Sequence, residues 1–245
     1  MSALAEVLLR PDIRRGDQFA VAPAHPAGCA LGVPTFASGF AALDAELPGG
    51  GWPRGALTEI LVDGHGLGEL SLLLPALRGL RAGGDWVLAI APPDGNCTLH
   101  APAWAAAGVD LERLAVVSPA AARDALWAAE QALLSGAPQA VLCWSAAADS
   151  RAVRRLQVAA AQGGQGGAVA FLFRPLRCAR EPSAAALRLS LAAAPQGALA
   201  VTILKRRGPP LAEPIVLALP RPAAWRNHVS SLAGATPAVR SLCAA

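Results

Sequence analysis

The chain reads as an α/β protein of three layers: a mainly parallel β-sheet flanked by helices, with an antiparallel hairpin at one edge. Three observations predict this. Short apolar runs alternate with helical patterns of 10–15 residues through positions 57–173, as in strands joined by crossover helices. WVLAIA at 86–91, AVLCW at 140–144 and AVAFLF at 168–173 are apolar without alternation, which suits strands covered on both faces. A glycine-rich stretch at 63–68 separates the strand 57–62 from a strongly apolar helix, the arrangement that aims backbone N–H groups at an anion.

Taken in order, residues 1–20 suggest a short helix with Arg14, Arg15 and Asp17 at its end, followed by a Pro/Gly/Ala-rich arm without a core of its own. The arm is bounded at 1–33, the core at 34–219 and a tail at 220–245. Ser38 is the expected N-cap of a helix carrying Phe40, Leu43 and Leu47, and Pro48 with three glycines ends it. After the glycine loop, Leu70, Leu72, Leu73, Leu74, Leu77 and Leu80 form a helix buried around much of its circumference. Pro75 lies inside it, at a cost of about 3 kcal/mol, and predicts a kink or a late start. A turn at Pro92, Pro93, Asp94 and Gly95 closes the strand 86–91.

A second unit follows: a helix at 101–107, a strand at 114–117, and a helix at 120–135 with Leu126, Trp127, Leu133 and Leu134 turned inward and Gly136 as its stop. The strand 140–144 leads to a helix at 150–162, where Val153, Leu156 and Ala160 face the sheet. Arg151, Arg154 and Arg155, at i, i+3 and i+4, share an outer face. Segments 187–191 and 198–204, joined through Gly197, form the hairpin. From Leu219 onward no period persists.

Composition bounds the class. At 54% hydrophobic the 245 residues can bury a sizeable core, yet no run of eighteen strongly apolar residues suggests a membrane span. The N-terminus has an acid before its short apolar run and no small-residue cleavage site, so a cytoplasmic protein is expected. Cys29, Cys97, Cys143, Cys178 and Cys243 are scattered without a C-x-x-C pair, and read as reduced structural thiols. His25, His65, His100 and His228 are equally dispersed, so no metal site is predicted.

The net charge of +4 conceals an asymmetry: residues 1–140 hold 8 Arg against 14 acids, whereas 141–245 hold 12 Arg and Lys205 against 3 acids. A basic half of this kind suits nucleic acid or an acidic partner.

The glycine loop sets the chemistry. A phosphate loop requires G-x-x-x-x-G-K-[ST], with lysine on the outer phosphates and a hydroxyl on magnesium. Here Gly64, Gly66 and Gly68 are followed by Glu69 and Leu70. A carboxylate near a phosphate is repelled by roughly 4 kcal/mol at 4 Å for an effective dielectric near 20. The scaffold of a phosphate loop is therefore expected without nucleotide, cofactor or ATP hydrolysis.

Two stretches carry a family resemblance. TFASGFAALDAELPGGGWPRGALTEI resembles the entry into the RecA-type ATPase core, with its S-G-x-x-x-L-D-x-x-L-x-G-G-x-P-x-G pattern, and AAAGVDLERLAVVSPAAARDALWAAEQALLSGAPQAVLCW is similar to the corresponding later stretch. By that resemblance the phosphate-loop lysine corresponds to Glu69 and the hydroxyl residue to Leu70. The catalytic glutamate falls near Pro93 and the Walker-B aspartate on Trp144. Asp94 and Asp149 lie nearby, where capping is the commoner task.

With RRLQ at 154–157, FLFRP at 171–175 and LKRRGPP at 204–210, the pattern resembles the ImuA group of translesion-synthesis-associated proteins, a RecA-like group related to the SulA division inhibitors. The resemblance implies a DNA-damage-induced accessory protein in error-prone synthesis, with an ImuB-like protein and an error-prone DNA polymerase as partners, and RecA as a further candidate. Arg151, Arg154, Arg155, Lys205, Arg206 and Arg207 become the candidate contacts for a partner or for DNA. The alternative is a SulA-type inhibitor of a tubulin-like division protein.

Overall fold

The computed structural model describes residues 34–64, 66–80, 86–92, 99, 101–163 and 167–220. The expected N-terminal helix and arm, the residues at Pro93 and Asp94, the tail from 221, three of the cysteines (Cys29, Cys97, Cys243) and all four histidines lie outside the described residues.

Strands β1 (Thr35–Phe36) and β2 (Trp52–Pro53) pair antiparallel and bracket a single helical turn, α1 (Ala41–Asp44). The main body then runs β3 (Ala56–Val62), α2 (Glu69–Gly79), β4 (Trp86–Ile90), α3 (Ala101–Ala106) and β5 (Leu114–Val117). It continues through α4 (Ala122–Ser135), β6 (Pro138–Trp144), α5 (Ser150–Gln162), β7 (Val169–Pro175), β8 (Leu187–Ala193), β9 (Leu199–Lys205) and β10 (Ile215–Leu217). The eight-stranded sheet has the spatial order β10, β9, β8, β3, β7, β6, β4, β5. From β8 to β5 every neighbouring pair is parallel, and β9 and β10 continue the sheet antiparallel.

Alternate residues of each strand feed two separate cores, as the two-residue period of a strand requires. On one face Ile60, Val62, Leu142, Phe171 and Phe173 pack with Leu72, Leu73 and Leu77 of α2 and with Trp104 of α3. On the other, Leu57, Val141, Cys143, Ala170 and Leu172 meet Leu126 and Leu133 of α4 and Val153 and Leu156 of α5. The expected mainly parallel three-layer α/β arrangement is the one observed. No helix among the described residues is long and apolar enough to cross a membrane.

Several local expectations are corrected. The antiparallel hairpin of β8 and β9 extends the sheet on the β3 side as expected, but the outermost position is taken by β10, a strand of three residues too short to leave a period in the sequence. Trp127 and Leu134 of α4 point outward, with relative exposures of 62% and 41%, because Ala125, Leu126, Ala129 and Leu133 already fill the stripe that meets the sheet. Ser38 is not a helix cap. The N-cap is Phe40, while Ser38 Oγ accepts the Phe40 N–H at 3.1 Å and the Ser38 N–H donates to Asp44 Oδ1 at 2.8 Å. α2 starts at Glu69 and runs past Pro75 with no late start, and the proline ring sits where a Cβ on Gly39 would collide with it. Gly136 ends α4 at φ +64°, in the left-handed conformation expected of such a stop.

Candidate functional site

The glycine loop leaves the C-terminal end of β3, the position at which open α/β sheets hold ligands. Gly64, Gly66 and Gly68 adopt φ of +102°, +83° and +98°, so the backbone path itself calls for glycine. Gly68 is the N-cap of α2 and has no side chain with which to satisfy the helix's first amides. The first helical residue does part of that work: Glu69 Oε1 accepts the Gly66 N–H at 3.1 Å. Helical side chains lean toward the N-terminus, which is why the carboxylate reaches back over its own loop. Its charge also lies against the positive end of α2.

Glu69 is 7% exposed, and its second oxygen, Oε2, has no hydrogen-bond partner among the described residues. Leu70 packs against the α2-side core, and Leu219 lies over Gly68 so closely that a Cβ there would strike it. Trp144 closes β6 in a parallel stack on Phe173, with ring centroids 4.6 Å apart and planes 9° apart. Asp149 caps α5, accepting the Ala152 N–H at 2.7 Å. It therefore serves the capping role its position suggested.

Two clefts flank the loop. One, about 330 Å³, is lined by Gly66, Leu67, Gly68, Leu74, Ala103 and Leu219 among others, with no charged side chain among its described lining residues. The other, about 400 Å³, opens at the C-terminal ends of β3, β6 and β7 between Asp63, Gly64, Trp144, Phe173 and Arg177. Among the described residues no group of three or more His, Cys, Asp or Glu side chains could hold a metal ion. Cys143 and Cys178 are free and buried, and burial pushes the Cys143 thiol up to about 12.

The basic candidates fall into two unconnected groups. Arg151, Arg154 and Arg155 line the outer face of α5, where Arg155 pairs with Glu130 of α4 at 3.2 Å. At the end of β9, Lys205 donates to the Ser183 carbonyl at 2.9 Å and Arg207 is exposed. Arg206 turns back against the molecule and pairs with Glu46 at 2.8 Å, so it fastens β9 to the segment after α1 and presents little charge outward.

A buried ionic centre was not anticipated from the sequence. Glu59, fully buried in β3, is held by Arg174 of β7 (Nη1 to Oε1, 2.6 Å) and by Arg188 of β8 (Nε to Oε2, 2.6 Å). Arg174 also reaches Glu181 at 2.6 Å and the Ala148 carbonyl, and Arg188 donates to the carbonyls of Cys178 and Glu181. Burial alone would lower the Arg174 pKa, but its bonds to Glu59 and Glu181 carry it above the usual value, and the Arg174 hydrogen bond holds Glu181 below the usual carboxylate range. The signal was present in LTEILV, FLFRP and LRLSL: a charge inside an apolar, doubly covered strand needs a charged partner.

A three-layer α/β domain with a carboxylate-filled glycine loop is the class these observations define. Residues 55–167 match the family model described as cell division inhibitor SulA, and over that stretch the chain is similar to that family. No curated protein matches the chain. The matched segment supplies β3, β4, β5 and β6, but β7, which joins β3 to β6 in the sheet, lies beyond it, as do β8 to β10.

Proposed function

We propose that this is a RecA-like protein that has kept a nucleotide-binding scaffold and lost nucleotide chemistry, and that it acts in the cytoplasm, in the SOS response to DNA damage, by contacting other macromolecules. The observation that carries this reading is the Glu69 carboxylate on the Gly66 amide, which puts a fixed negative charge inside the loop that would hold phosphate. Leu70 offers no hydroxyl to magnesium, and Trp144, stacked on Phe173, offers no carboxylate. ATP hydrolysis is not part of the proposal. Calorimetric titration with Mg-ATP is expected to give no low-micromolar binding.

Similarity to the SulA model favours a division inhibitor that binds a tubulin-like division protein. A second reading, an ImuA-like adaptor for error-prone translesion synthesis working with an ImuB-like protein and an error-prone polymerase, is supported by the ordered segment β7 to β10 outside the matched stretch, which carries FLFRP in β7 and LKRRG running from the end of β9 into the turn after it. Under either reading Arg151, Arg154, Arg155, Lys205 and Arg207 are the candidate contacts for a partner or DNA. Deleting the coding sequence and, separately, overproducing the protein distinguishes the two. Filaments on overproduction without damage support the inhibitor, and reduced ultraviolet-induced mutation on deletion with normal division supports the adaptor.

A further inference from the structure

Helices α4 and α5 lie side by side on one face of the sheet, pinned by the Arg155 to Glu130 ion pair. Their outer crest carries apolar side chains that no core explains: Trp127 at 62% relative exposure, Leu134 at 41% and Val158 at 46%. Helical periodicity groups them. Trp127, Glu130 and Leu134 follow one another along α4 at i, i+3 and i+7 on the side that carries the ion pair, while Arg151, Arg155 and Val158, at i, i+4 and i+7, lie on the facing side of α5. The result is an apolar furrow bordered by arginines. Among the described residues Arg151 and Arg154 have no acidic partner, whereas Glu130 is already paired and Asp124 lies beside Arg123 at 3.5 Å. Exposed tryptophan with arginine is the composition enriched where proteins meet, and an isolated solvated helix face has no use for a tryptophan.

We propose that this furrow is a docking site for an acidic amphipathic helix of a partner protein. Leucine-type side chains of such a helix would lie on Trp127, Leu134 and Val158, and its carboxylates would meet Arg151 and Arg154. A third helix in the groove between two packed ones is the geometry that ridges and grooves favour. Charge excludes a basic occupant, because the unpaired groups on the crest are both arginines. The proposal rests on the reading that the chain acts through macromolecular contacts, and names the surface and the chemistry of one of them.

The test uses the full chain and a labelled helical peptide of about 15 residues, with leucines at i, i+3, i+4 and i+7 and glutamates elsewhere, beside a twin in which lysine replaces glutamate. The expected result is saturable binding of the glutamate peptide alone, weakened at least about tenfold by Trp127→Ala or by Arg151→Glu with Arg154→Glu, and largely kept in Trp127→Phe. Unchanged thermal melting of these surface variants shows that they fold. The proposal is overturned if the two peptides bind equally, if neither binds, or if the variants bind as the parent does. It is likewise overturned if sedimentation shows a dimer that Trp127→Ala dissociates, which makes the occupant a second copy, or if duplex DNA displaces the glutamate peptide. Such failures leave the deletion and overproduction phenotypes untouched, so the broader functional reading stands or falls separately.

Discussion

Two carboxylates, ten positions apart on either side of the same strand end, are buried to nearly the same degree and do opposite things. Glu59 is fully buried, and both its oxygens are taken by guanidinium groups from neighbouring strands. Glu69 is 7% exposed and has one amide on one oxygen and no partner on the other among the described residues. Removing a charge from water is repaid only when all its lone pairs find donors. By that measure Glu59 is a structural keystone linking β8, β3 and β7. In the proposed reading, the half-satisfied Glu69 is an anion that the chain itself supplies to its glycine loop.

The largest effect is expected at the first centre. Glu59→Ala leaves two buried guanidiniums without their carboxylate and should cost about 3–5 kcal/mol, a fall in melting temperature on the order of 10 °C or more for a chain of this size. Replacing Glu59, Arg174 and Arg188 together by leucine and methionine should recover much of that loss, because apolar groups of similar volume replace the whole network. A single substitution that melts within a few degrees of the parent would show that the arginines find other partners.

A smaller effect is expected at the network's exposed end. The hydrogen bond from Arg174 holds the Glu181 pKa below its usual 4.5. A carboxylate whose folded-state pKa is depressed contributes stability above its unfolded pKa and loses it as pH falls through the folded value. Melting temperature should therefore drop below about pH 4.5 more steeply in the parent than in Glu181→Gln. Since Glu181 is half exposed while Arg174 is 3% exposed, solvent screens the pair and the difference should be modest. Identical acid limbs in the two proteins would break the assignment.

The comparison also marks how far the sequence was legible. Alternation of strand and helix patterns placed β3 to β7 and α2 to α5, because a doubly covered strand has few ways to look other than apolar, and the turn at Gly197 placed β8 and β9 as a hairpin. The loop after β3 was legible through its glycines, which take the positive φ that favours glycine. The Glu59 centre was not, since its members stand 115 and 129 positions apart and only strand order brings β7 and β8 to either side of β3. Trp127 was misassigned because an apolar residue in a helix pattern was taken for core, whereas the helix has one inner stripe and 127 lies off it. β10 escaped because three residues carry no period.

The smallest effect should come from Glu69. Replacing it by alanine removes one hydrogen bond from the Gly66 amide and a favourable charge at the N-terminus of α2, together worth about 1–2 kcal/mol. It also releases a buried oxygen from an unsatisfied position, a gain of similar size. The two nearly cancel, and the melting temperature of Glu69→Ala should stay within about 4 °C of the parent, several-fold less than the change at Glu59. The same variant is expected not to bind Mg-ATP tightly, because opening the loop supplies neither a lysine nor a metal ligand, and Leu219 still lies over Gly68. A loss approaching that of Glu59→Ala would mean that Oε2 has a firm partner and that both carboxylates are structural. Low-micromolar nucleotide binding by the variant would mean that Glu69 alone had been keeping a working phosphate site closed.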